Sequence, residues 1–100
     1  MEQTTDKYIL VSTEKYQICS DYYSHSAQIL VKKRLKVTHS FYHPEDKMDE
    51  QFDYIKALFT INGIATVSVD NYEIRITKGN LFSWEELLDQ LKLVIETYII

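Results

Sequence analysis

The sequence is poor both in residues that interrupt regular structure and in residues that build reactive centres. It has two glycines and one proline in 100 residues, so its loops must be short or be built from Asn, Asp, Ser and Lys. A single cysteine, Cys19, excludes an internal disulfide and with it the stapled scaffold of small secreted proteins. An iron–sulfur cluster is held by four thiolates, or by two with two histidines. One copy of Cys19 cannot hold it, and two chains together would bring only two thiolates. The first six residues are polar and lack the apolar stretch of a signal peptide. No apolar run approaches the roughly 20 residues that span a bilayer. These absences lead us to expect a cytoplasmic chain with no membrane association. There is no Gly-rich phosphate loop and no legible Ser-His-Asp or Cys-His arrangement. Ser24-His25-Ser26 is a local coincidence, because triads assemble from distant segments. The expectation is a protein that is not an enzyme and carries no cofactor.

What is present is an ordinary globular composition, 45% apolar. The length fits one domain, 1–100, with a modest core and little room for a deep cavity. The net charge is −4, which argues against a nucleic-acid binder, since phosphate neutralisation supplies most of such a protein's affinity. It leaves open a local basic patch.

The chain divides by hydrophobic period. Tyr8, Ile9, Leu10 and Val11 form a short apolar run that suits a strand, with residues 16–19 as its hairpin partner and Thr13-Glu14-Lys15 as the turn. Residues 21–26 read as a loop. From 28 to 41, Ile29 and Val31 alternate, and Leu35, Val37 and Phe41 resume after a break near Lys33, which marks a bulge or a turn into another strand. His43-Pro44-Glu45-Asp46 punctuates the chain. Beyond it, Met48, Phe52, Ile55 and Phe59 recur at helical spacing, ending at Asn62-Gly63, where Gly63 can adopt a left-handed cap. Ala65, Val67 and Val69, a turn at Asp70-Asn71, then Tyr72, Ile74 and Ile76 predict a hairpin. Ser83-Trp84-Glu85-Glu86 is a capping box, opening a helix whose apolar stripe is Trp84, Leu87, Leu88, Leu91, Val94, Ile95 and Tyr98. The predicted class is α+β: a mostly antiparallel sheet with two helices packed on one face.

Residues 54–95 carry a family likeness. In order they contain Ala57-Leu58-Phe59, Ile61-Asn62-Gly63-Ile64, Val67, Asp70-Asn71-Tyr72-Glu73-Ile74, Thr77-Lys78 and Trp84-Glu85-Glu86-Leu87. The sequence resembles here the N-terminal domain of Nfu/NifU-type iron–sulfur scaffold proteins. That pattern runs from a helix ending in Leu-Phe through a Gly-Val or Gly-Ile step, a strand, an aromatic-led strand ending in Thr-Lys, and a Trp-Glu pair opening the last helix. The family's Pro-Asn-Pro-Asn-like opening and its Cys-x-x-Cys cluster site have no counterpart in this sequence. The resemblance implies a stand-alone version of the non-cluster domain, with a protein partner, an association with iron–sulfur assembly and no catalytic residues to carry over.

Three groups of residues are candidate sites. Lys32, Lys33, Arg34 and Lys36 place four bases in five residues. With Tyr22, Tyr23, Phe41 and Tyr42 nearby in sequence they resemble a single-strand nucleic-acid platform. On a strand, Lys32, Arg34 and Lys36 would share a face. The plainer reading is a solvated face or a protected sheet edge, with the acidic run 45–53 as its counter-charge. His39 and His43, near Glu45 and Asp46, form the one candidate metal set; surface histidines beside a turn are the plainer reading. The C-terminal Tyr98, Ile99 and Ile100 are apolar to the last residue. They either dock on the core or offer a contact to a protein partner. Cys19 reads as a small buried apolar residue. Eight tyrosines suit a protein interface, although most belong to a core or a half-exposed sheet.

Overall fold

The computed structural model describes residues 7–21, 25–36, 41–43, 53–79 and 82–100. Six strands form one antiparallel sheet: β1 (Lys7–Ser12), β2 (Tyr16–Asp21), β3 (Ser26–Val31), β4 (Phe41–Tyr42), β5 (Ile64–Val69) and β6 (Glu73–Lys78). Their spatial order is β1-β2-β3-β6-β5-β4. Helix α1 (Asp53–Phe59) lies in sequence between β4 and β5, and α2 (Trp84–Val94) follows β6. The predicted α+β class is the observed one.

Alternation along the strands sorts side chains to two faces. Tyr16, Ile18, Ala27, Ile29, Val31, Val67, Val69, Ile74 and Ile76 are buried on the face that carries the helices, against Ile55, Leu58, Leu87, Leu91 and Ile95. The other face is largely polar and internally bonded. Gln28 Nε2 donates to Glu73 Oε2 at 2.8 Å, Arg75 pairs with the same carboxylate at 3.2 Å, and the hydroxyls of Thr66 and Thr77 are 2.6 Å apart. Cys19 is buried, as expected; its strand partners are Ile9 and Gln28.

The β1–β2 turn is built by Thr13, whose hydroxyl accepts from the amides of Lys15 and Tyr16, each at 3.1 Å. The β5–β6 hairpin forms with one departure from simple alternation. A bulge between Ile64 and Thr66 shifts the phase, so that Ile64 is buried and Ala65 exposed. Gly63 has φ +106, the left-handed conformation that glycine adopts without penalty. A Cβ there would lie 2.8 Å from the Phe82 ring.

Helix α2 begins with the predicted capping box. The Ser83 hydroxyl accepts from the Glu86 amide at 3.2 Å, and the Glu86 carboxylate accepts from the Ser83 amide at 3.0 Å. The Lys78 ammonium sits 5.5 Å from the centre of the Trp84 ring, joining the end of β6 to the start of α2. After Val94 the helix widens into a π-turn over Ile95–Ile99, closed by the Ile100 amide donating to the Ile95 carbonyl at 3.1 Å. The wider turn changes which residue faces the core: Ile99 is only 4% exposed, whereas Tyr98 is 51% exposed. Periodicity alone places Tyr98 on the buried stripe. Among the described residues, no helix is long and apolar enough to cross a membrane.

Candidate functional site

The basic run is not a strand. β3 ends at Val31, and residues 32–36 form a loop with the side chains of Lys32, Lys33, Arg34 and Lys36 exposed. Leu35, the one apolar residue among them, is 7% exposed and belongs to the core. The loop is held at its backbone as well. The Val31 and Leu35 amides donate to Tyr72 and Asn71 carbonyls in the β5–β6 turn at 2.9 and 2.7 Å, and the Lys32 amide donates to the Lys15 carbonyl at 3.3 Å. The Tyr54 hydroxyl donates to the Lys36 carbonyl. A buried side chain and bonds to three other segments thus fix the backbone that carries the bases.

Three of these bases, Lys33, Arg34 and Lys36, face the far end of the chain, and Lys32 does not. A cavity of about 380 Å³ is lined by Lys33, Arg34, Lys36, Asp53, Tyr54 and Tyr98, with Leu35 and Ile99 at its base. A groove of about 560 Å³ continues from it between α1 and the end of α2, along Lys56, Ala57, Leu93, Val94 and Tyr98; Asp53 and Tyr98 line both. Two regions that the sequence marks separately, the basic run and the C-terminus, therefore meet at one corner. Of the C-terminal trio, Tyr98 is open to solvent, Ile100 is half-buried against the core, and Ile99 is part of it. Ile99 is thus occupied by the fold and not free for a partner.

Two tyrosines fix the corner. The Tyr16 hydroxyl donates to Glu96 Oε2 at 2.7 Å, tying β2 to the π-turn. Burial, with the bond to Glu96 and its charge adding to it, pushes the Tyr16 hydroxyl up to about 12. Burial likewise pushes Tyr54 up to about 12, with the neighbouring Tyr42 adding to it. Both hydroxyls stay protonated, and so remain donors, across the physiological range.

Of the metal candidates only His43 is described. His39, Glu45 and Asp46 lie outside the described residues, and the ring of the exposed His43 packs edge-on against Phe41 with centroids 4.7 Å apart. Among the described residues, no three His, Cys, Asp or Glu side chains come together in a group able to hold a metal ion. Of the acidic run 45–53 only Asp53 is described; it lines the cavity. Tyr42 is core rather than part of an aromatic platform, and Phe41 lies on β4 at the far edge of the sheet.

Sequence reasoning missed Tyr54, Lys56 and Leu93, and had Asp53 only as the end of the acidic run set against the bases. Leu93 had a signal: it is the one leucine of α2 that falls outside the apolar stripe. Comparison with protein-family models, with curated proteins and with solved structures finds no match.

Proposed function

We propose that the chain is a non-enzymatic protein-binding or accessory module, docking through the corner where loop 32–36, the start of α1 and the end of α2 meet. The observation that carries this reading is that Leu93, 66% exposed, and Tyr98, 51% exposed, line one groove. Exposed apolar side chains grouped along a groove and rimmed by polar groups mark interaction surfaces. The bonded polar face of the sheet offers a poorer surface, because a partner would have to displace the Gln28–Glu73–Arg75 ladder. A link to iron–sulfur cluster assembly belongs to the same proposal. It rests on the likeness of residues 54–95 to the scaffold N-terminal domain, and the order helix, hairpin, helix through this stretch supports it. A cytoplasmic setting is proposed on the strength of the lone thiol.

A second reading, single-stranded nucleic acid, has in its favour that the bases of 32–36 adjoin the turn carrying the exposed Tyr72 as well as Tyr98. The net charge of −4 and the carboxylate of Asp53 in both the cavity and the groove weigh against it.

Affinity capture from host lysate with quantitative mass spectrometry tests the proposal on wild type, Leu93→Asp and Arg75→Glu. A set of proteins held by wild type and Arg75→Glu, and lost by Leu93→Asp, is the expected result. Iron–sulfur assembly factors or client proteins in that set would carry the link to cluster assembly. Identical sets for all three proteins, or a loss confined to Arg75→Glu, would contradict it.

A further inference from the structure

We propose that this corner takes an acidic segment of the partner, with its carboxylates on Lys33, Arg34 and Lys36 and one of its apolar side chains in the groove beside Leu93 and Tyr98; the inference rests on the protein-binding reading above.

The chain as a whole is acidic, at −4, yet the described residues of the cavity wall include three cations, Lys33, Arg34 and Lys36, and one carboxylate, Asp53. Among the described residues the ion pair is Arg75 with Glu73, on the opposite face of the sheet. Bases gathered at one place in an acidic chain, with no described carboxylate within ion-pair distance, are complementary to an anionic partner. Arg34 adds the planar fork that binds a carboxylate through two parallel hydrogen bonds.

The basic loop is also preorganised. Loop 32–36 is held by the Leu35 side chain and by bonds to Lys15, Asn71, Tyr72 and Tyr54. Binding therefore does not have to order the backbone that carries the bases. The π-turn at Ile95–Ile99 serves the same surface by turning Tyr98 outward while Ile99 keeps the helix on the core. Such widened turns are frequent at functional sites.

The layout of the corner orients such a segment. The cavity and groove have the volume of a few side chains, which suits a short segment. Asp53 stands in the wall they share and repels carboxylates there. Three of the lining cations, Lys33, Arg34 and Lys36, stand on the loop side of Asp53 and Lys56 on the groove side, so the acidic residues of the segment gather over the basic loop, with the apolar anchor beyond Asp53, between Ala57 and Leu93. A nucleic-acid backbone following the same path would carry phosphates past Asp53.

The test is fluorescence anisotropy on the full chain with a labelled peptide alternating Glu and Leu. Its comparators are a peptide with Lys for Glu, one with Ser for Leu, and oligothymidylate. The proteins are wild type, Lys33→Glu/Arg34→Glu, Leu93→Asp and Arg75→Glu, each checked for folding by circular dichroism. The side chains substituted in these proteins are exposed. Saturable binding of the Glu-Leu peptide is expected. It should weaken about tenfold or more in the double charge reversal, in Leu93→Asp and with the Ser peptide, fall with added salt, and stay unchanged in Arg75→Glu. No saturable binding, equal binding of the Lys peptide, or tighter binding of oligothymidylate would overturn the inference. A fifth protein, Glu45→Gln/Asp46→Asn/Asp49→Asn/Glu50→Gln, completes the set: binding that emerges only in it would also overturn the inference, by assigning the bases to the chain's own acidic run. If lysate partners depend on Leu93 but are indifferent to Lys33→Glu/Arg34→Glu, protein binding stands and the acidic segment fails. If they are indifferent to Leu93 as well, the protein-binding reading fails.

Discussion

Removing a single oxygen, in Tyr54→Phe, separates the packing of the corner from its polar anchor. The Tyr54 ring is 6% exposed and belongs to the core, and phenylalanine keeps that burial. The substitution deletes the bond from the hydroxyl to the Lys36 carbonyl. A hydrogen bond to a neutral group contributes about 1 kcal/mol net, and leaving a partner unsatisfied adds to the loss only where water cannot reach it. Lys36 is exposed, so water can take over its carbonyl and the cost stays near 1 kcal/mol. In a chain of this length that is a fall in Tm of about 4–8 °C. Tyr54→Ala empties a buried aromatic site instead and should cost about 3–5 kcal/mol. Urea unfolding and a thermal scan measure both. Binding should separate from stability: with one of its tethers gone, loop 32–36 holds its bases less firmly, and affinity for the Glu-Leu peptide should fall by up to about tenfold in Tyr54→Phe. Wild-type stability together with wild-type affinity would refute the anchoring role of the hydroxyl. A loss as large as that of Tyr54→Ala would refute the division between packing and polar anchor.

Further outcomes follow from the same geometry. Gly63→Ala should destabilise by more than the roughly 1–2 kcal/mol of a left-handed alanine, because its Cβ also meets the Phe82 ring at 2.8 Å; Gly63→Ala combined with Phe82→Ala, measured by urea unfolding, should recover part of the loss relative to the sum of the single changes. Ser83→Ala removes one half of the capping box and should cost about 1 kcal/mol by the same measurement. Stability should fall at alkaline pH. Tyr16 and Tyr54 keep their protons in the fold up to about 12 against an ordinary value of 10.0, so above pH 10 the folded state binds more protons than the unfolded one, and stability declines as pH rises. Their contribution is intact below pH 10 and is lost through about 12. Urea midpoints across that range should drop in wild type and drop less in Tyr16→Phe/Tyr54→Phe.

Where fold information is local, the sequence shows it. The β5–β6 hairpin and α2 were legible because period-two alternation, a tight turn and a capping box are short-range signals. The bulge at Ala65 was not, since strict alternation puts Ala65 rather than Ile64 on the core face. The stretch 28–41 was harder. Its alternation on both sides of Lys33 leaves a bulge or a turn into a second strand open; β3 ends at Val31, and Phe41 belongs to a strand at the far edge, beyond β5. Which strands pair across long separations is decided by tertiary packing, and residues 32–36 leave the sheet with Leu35 buried in the core. The site was legible only in pieces. The bases and Tyr98 stood out separately, by charge and by apolar character. Their meeting depends on where β3 ends and on the π-turn that exposes Tyr98, and periodicity encodes neither.

The most direct measurement is an NMR titration of the isotopically labelled chain with the Glu-Leu peptide, following backbone amides. The account predicts that the largest shifts gather at 33–36, 53–57 and 93–98, the walls of the cavity and groove. Shifts gathered instead at Gln28, Glu73 and Arg75 on the open face of the sheet, or no shifts on saturation with peptide, would contradict a docking surface at this corner.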